Sequence, residues 1–203
     1  GKMTEFEDPV ISSSSGEIQE LQEKGDNQPP YINNVHKLLT FLIKNKEQMT
    51  PKHVAETIWA AFGRMYISDQ YYLEEFGNIA KNIALRCNAR EIANIVWAFS
   101  KVDFDNPELI TFLVRVVVDE LSDQCTSQEA ANMIYALGRL NICDELLFSE
   151  LSSIIEKNIQ NATSQAIANA LWGHDMVDLA PPPDLLSFWA RSLLSLETAD
   201  IIE

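Results

Sequence analysis

Four stretches repeat one pattern: TPKHVAETIWAAF from Thr50, NAREIANIVWAF from Asn88, TSQEAANMIYAL from Thr126 and TSQAIANALWGH from Thr163. Their aromatic positions, Trp59, Trp97, Tyr135 and Trp172, follow one another at 38, 38 and 37 residues, and Ala55, Ala93, Ala131 and Ala168 keep the same spacings. A fixed period of this length marks an array of supersecondary units, each too small to bury its own apolar face. The period predicts an all-α chain, an α-solenoid built by stacking like units.

Working outward, each unit divides into two helices. The second opens near 50, 88, 126 or 163 on Thr50, Asn88, Thr126 or Thr163, all good N-cap residues. Pro51 stands at a first helical position, and Glu91 and Glu129 complete capping boxes. The first helix of each unit carries apolar residues at helical spacing: Val35, Leu38, Phe41 and Leu42, then Tyr72, Phe76, Ile79 and Ile83, then Ile110, Val114, Val117 and Leu121, then Leu147, Leu151 and Ile154. Counted back from the caps, Leu38, Phe76, Val114 and Leu151 are equivalent. Turn residues near Ser68, Asp105-Asn106-Pro107, Asn141 to Asp144 and Pro181-Pro182-Pro183 separate the units. A fifth first helix is expected over Leu185 to Leu196, with Thr198 at the cap of a partner, so the last repeat reads as truncated. The expectation is about four and a half repeats over 31–203, with a right-handed superhelix.

Residues 1–30 differ in kind. They hold seven acids, two lysines, the run Ser12 to Ser15 and Pro29-Pro30, which predicts a disordered acidic tail or linker with a short helix around Ile18 to Leu21. The acidity is not confined there: the chain carries 30 acids against 15 bases, net −15, and 31–203 keeps a net of −10. Such a balance argues against a sequence-blind grip on nucleic acid. No apolar run approaches a membrane span, so no membrane partner is expected. Cys87, Cys125 and Cys143 form no CxxC, and His36, His53 and His174 share neither a repeat position nor a metal-ligand spacing, so no metal and no cofactor are expected. Cys87 and Cys125 share a repeat position with Met49 and Ala162 and read as small apolar residues between units. With no phosphate loop, metalloprotease helix or nucleophile elbow, the expectation is a protein without catalytic residues.

Positions two, six and thirteen after each cap lie within about 40° of one another on a helix that turns 100° per residue. They hold Arg90, Asn94 and Lys101 in the second unit and Gln128, Asn132 and Arg139 in the third. Lys52, Glu56 and, one residue late, Arg64 approximate them in the first, and Gln165 with Asn169 in the fourth. Stacked units would align these into a polar ladder. One reading is a surface facing RNA, the amides meeting base edges and Lys101 or Arg139 meeting phosphates. The other is a set of inter-repeat bonds with no ligand. The four aromatics border this stripe; packing is their favoured reading, base stacking the alternative.

The combination of a proline-rich turn, a first helix, a Thr/Asn-Ser-Gln cap and an ANxLWA second helix, quoted as Ser164 to Trp172 with Pro181-Pro182-Pro183-Asp184, resembles the octotricopeptide and heptatricopeptide repeats. The likeness covers about 31–203. It departs at both ends: Glu56 replaces the asparagine, one extra residue follows Trp59, and the fourth unit ends Gly173-His174-Asp175-Met176. The resemblance implies an RNA-binding α-solenoid of a mitochondrion or plastid, or a part of an organellar ribosome. Its site would be Lys52, Arg90, Asn94, Lys101, Gln128, Asn132, Arg139, Gln165 and Asn169, and its partners single-stranded or ribosomal RNA and the proteins of a ribonucleoprotein assembly. The alternative is a protein–protein scaffold subunit of an organellar complex with no RNA contact, which the net charge favours.

Overall fold

A computed structural model describes residues 30–183, 185–188 and 190–191. The acidic tail up to residue 29, the helix expected around Ile18, and the end of the fifth first helix lie outside these residues. Among the described residues every regular element is helical. The elements are α1 (Pro30–Lys44), α2 (Pro51–Ile58) continuing as a π-helical turn (Trp59–Arg64), α3 (Gln70–Ile83), α4 (Ala89–Lys101), α5 (Pro107–Glu120), α6 (Ser127–Arg139), α7 (Glu145–Lys157) and α8 (Ser164–Met176). Residues 1–38 and 39–203 make two compact units. Of the first, the described part is the opening of α1. In the second, the even-numbered helices touch in succession, α2 to α4 to α6 to α8, and the odd-numbered ones likewise, α3 to α5 to α7.

The even-numbered helices start where their caps require. The Thr50, Asn88, Thr126 and Thr163 side-chain oxygens accept from the backbone N–H three residues on. Glu91 and Glu129 return the bond to the cap's own N–H at 2.9 and 2.8 Å. His53 Nδ1 does the same for Thr50 at 3.4 Å. Each such cap is worth about 1 kcal/mol. Asp69, Asn106 and Asp144 cap α3, α5 and α7, so the polar breakers between units are helix starts. Short 3-10 turns at Lys46–Gln48, Ala84–Arg86, Ser122–Gln124 and Ile159–Asn161 lead into the four caps.

The even-numbered helices also end alike, each on a left-handed residue that is not glycine: Tyr66, Asp103, Asn141 and Asp178, with φ between 51° and 56°. At Asp103 the next N–H, of Phe104, donates to Phe99 O at 3.1 Å, while the N–H of Asp103 donates to Ser100 O at 3.3 Å. Ile142 to Leu137 O and Leu179 to His174 O repeat the longer bond. These are Schellman closures, which satisfy carbonyls that the helix end would leave unpaired.

Phe76, Val114 and Leu151 are fully buried, as the cap alignment predicts, but Leu38 is 53% exposed and Phe41 61%. In α1 the covered residues are Leu39 and Ile43. The expected apolar face is therefore corrected by one residue at Leu38, because the covered edge of α1 is the one carrying Leu39. A second correction concerns Ala168. Ala55, Ala93 and Ala131 are buried, Ala131 completely, whereas Ala168 is exposed. α4 and α6 each lie between two even-numbered helices; α8 has such a neighbour only on its α6 side among the described residues.

Candidate functional site

Helix packing leaves a narrow accessible stripe. On α4 every residue is buried except Arg90, Glu91, Asn94, Trp97 and Lys101; on α6 the exceptions are Gln128, Glu129, Asn132, Tyr135 and Arg139. The residues assigned to the stripe from sequence do share one face, and the aromatics lie on it among them. Trp59, Trp97 and Tyr135 are half-buried, and Trp172 is 62% exposed. Tyr135 and Trp172 pack at 6.4 Å between centroids with planes 34° apart. Arg64 sits over the Trp59 ring at 5.6 Å and Lys101 over Trp97 at 5.2 Å. Such cation–π contacts at accessible sites are worth about 0.5–1 kcal/mol. Half-exposed rings with a cation at hand can stack a planar group and meet an anion beside it.

Several polar members are already engaged with the protein. Gln128 Nε2 donates to Asn132 Oδ1 at 2.9 Å, and Asn169 Nδ2 donates to the same oxygen from the next helix at 3.1 Å. Thr163 Oγ1 donates to Gln128 Oε1 at 2.9 Å. Gln128, Asn132 and Asn169 thus form the inter-repeat ladder. The Asn132 amide nitrogen takes no part in these bonds. Arg139 Nε donates to Ser100 O at 2.7 Å and its Nη2 lies 3.1 Å from Asp103 Oδ1, so its charge is answered by the preceding unit. Lys52 pairs with Glu56 at 3.8 Å, both side chains exposed, a contact of little energetic weight. Arg90 and Gln165 are exposed, and Asn94 is half-buried.

The charge of the stripe differs from that of the chain. The even-numbered helices and the π turn hold five cations, Lys52, Arg64, Arg90, Lys101 and Arg139, against four carboxylates, Glu56, Glu91, Glu129 and Asp175. Glu91 and Glu129 are occupied as caps. The excess acid therefore lies elsewhere in the sequence.

Two thiols, Cys87 and Cys125, are buried between units. Burial pushes Cys87 and Cys125 up to about 12, helped by the Glu91 and Glu129 carboxylates. This agrees with their reading as small apolar residues. Cys143 is exposed. Among the described residues no three His, Cys, Asp or Glu side chains group as metal ligands, and no helix is long and apolar enough to cross a membrane.

His174 is a site that sequence reasoning passed over. It is 3% exposed, 3.0 Å from Ser152 Oγ through Nε2 and edge-on to Phe148, with Nδ1 lacking a hydrogen-bond partner. Burial lowers its pKa. The available signal was its register, since Phe99 and Leu137 fill the equivalent core position. Comparison with protein-family models and with curated proteins finds no match for this chain.

Proposed function

We propose that this protein is a non-catalytic helical-repeat binder of the octotricopeptide and heptatricopeptide kind, working in organellar RNA metabolism. In this reading 31–203 is a right-handed α-solenoid, 1–30 a disordered acidic tail, and the role that of an RNA-binding factor or a structural part of a mitochondrial ribosome. The supporting observation is the stripe itself: aromatic faces left accessible at successive repeats, with Lys101 over Trp97 and Arg64 over Trp59, on helices that escape the acidity of the chain. Bases would stack on the rings, and Arg90 and Lys101 would meet phosphates.

The test is titration of the whole chain with fluorescent single-stranded RNA at low and moderate salt. Lys101→Ala and Arg90→Ala should weaken binding to all sequences alike, each lowering the salt slope by about 0.7. Trp97→Ala should cost about 1–3 kcal/mol. Arg139→Ala should do less, because Asp103 already answers that charge. Absence of binding at low salt, or equal binding by the unaltered chain and Lys101→Ala, would refute the RNA reading. A second reading, a scaffold without RNA contact, is favoured by the engagement of Gln128, Asn132, Asn169 and Arg139 within the protein and by the net charge of −15.

A further inference from the structure

The four units do not contribute alike to the stripe. In the first two a cation lies over the ring of its own unit: Arg64 Cζ is 5.6 Å from the Trp59 centroid, and Lys101 Nζ is 5.2 Å from that of Trp97. The spacings differ, Lys101 following its ring by four residues and Arg64 by five. Residues four apart are neighbours on an α-helix, and the π-helical turn Trp59–Arg64 brings residues five apart into the same relation. Two different backbones thus build the same ring-and-cation pair.

The third and fourth units lack that pair. Arg139 follows its ring, Tyr135, by four residues, but it is turned to Ser100 O at 2.7 Å and to Asp103 at 3.1 Å. Met176 takes the place of the cation after Trp172, and the exposed Asp175 sets a negative charge where a phosphate would approach that ring. Tyr135 and Trp172 pack on each other. Charge divides at the same place. On the even-numbered helices and the π turn, the first two units hold Lys52, Arg64, Arg90 and Lys101 against Glu56 and Glu91; the last two hold Arg139 against Glu129 and Asp175.

The amides divide there as well. Asn132 Oδ1 accepts from Gln128 and from Asn169, and Gln128 Oε1 accepts from Thr163. One unit earlier Arg90 stands where Gln128 does; it offers donors only and cannot accept from the next cap. Among the described residues no hydrogen bond engages the half-buried Asn94 side chain.

We infer, on the RNA reading above, that the strand is held by the first two units alone. Two bases stack on Trp59 and Trp97, Arg64 and Lys101 swing from the ring faces to the phosphates of the same nucleotides, and Asn94 is the one amide that reads a base edge. Packed helices lie about 8–10 Å apart, so one strand reaches both rings. The third and fourth units extend the array without touching the strand, their polar groups being spent on holding repeat to repeat.

The experiment titrates the whole chain with fluorescent oligo(U) and oligo(A) at low and moderate salt, beside variants from both halves of the stripe. Trp59→Ala should weaken binding by about five- to 150-fold, the range for losing one stacked base. Arg64→Ala, at an exposed position, should lower the salt slope by about 0.7. Trp172→Ala should leave both Kd and slope where they are. Asn94→Ala should change the ratio of the two affinities, whereas Asn132→Ala should lower Tm by breaking the ladder and leave that ratio alone. Equal weakening by Trp172→Ala and Trp59→Ala, an unchanged slope in Arg64→Ala, or a ratio moved by Asn132→Ala or untouched by Asn94→Ala would overturn the inference while the RNA reading stands. No binding by the unaltered chain at low salt would remove both.

Discussion

Gly138 and Gly173 mark the crossing of α6 and α8, and their replacement tests the packing on which the array depends. A Cβ on Gly138 would fall 2.7 Å from Gly173 Cα; one on Gly173 would fall 2.6 Å from the Ile134 carbonyl carbon and 2.7 Å from Ile134 Cγ2. The obstacles are largely backbone, so the helices themselves must separate. Two effects oppose each other in Gly173→Ala. Helix propensity favours Ala by about 1 kcal/mol, while overpacking at a tight contact costs about 1–3 kcal/mol. Separation also stretches the Asn169–Asn132 and Thr163–Gln128 bonds, which span the same pair of helices. We expect a net loss of about 1–2 kcal/mol, a fall in Tm of roughly 2–8 °C for a chain of this size. The control is Gly77→Ala, whose Cβ would lie 3.0 Å from Leu109 Cδ2, the movable end of a side chain. There the propensity gain should offset the crowding and leave Tm near its starting value. The assay is thermal unfolding followed by helical circular dichroism. Gly173→Ala melting at or above the unaltered protein, or falling no further than Gly77→Ala, would refute the close crossing.

The buried histidine gives a pH signature. His174 is held neutral, with a pKa below its ordinary 6.5, so as pH falls past 6.5 the unfolded chain takes up a proton that the folded one refuses, and stability declines until the lowered folded pKa is reached. Urea midpoints above and below pH 6.5 should show this decline, and His174→Leu with Ser152→Ala should lessen it; an identical decline in the double variant would contradict it. The thiols give a count: with Cys87 and Cys125 at about 12 and buried, a thiol-specific reagent should label Cys143 alone in the native protein and all three cysteines in denaturant. Rapid labelling of three in the native state would contradict the packing of those two residues between units.

Local signals carried the sequence reading furthest. A cap such as Thr126 acts on an N–H three residues away, so Thr126 with Glu129 identifies a helix start whatever lies around it. Readings that depended on neighbours fared less well. Leu38 aligns with Phe76 by counting, yet the covered edge of α1 is at Leu39. Ala168 has the identity of Ala131 without its covering helix. Asn132 was ambiguous in principle, because an amide offers the same donor and acceptor to a base edge as to the next repeat. The extra residue after Trp59 shows how far a local irregularity propagates. In an α-helix one added residue rotates everything after it by about 100°. Here the insertion is taken up within Trp59–Arg64 by π-helical bonding. Ile67 N–H accordingly closes onto Ala61 O, six residues back, where Phe104 closes onto Phe99 O, five back. The widened turn still delivers Tyr66 to the left-handed position, within reach of Lys101. The first unit therefore meets its successor at the same place as the second does, through a ring beside Lys101 rather than the Asp103–Arg139 ion pair, despite having one residue more.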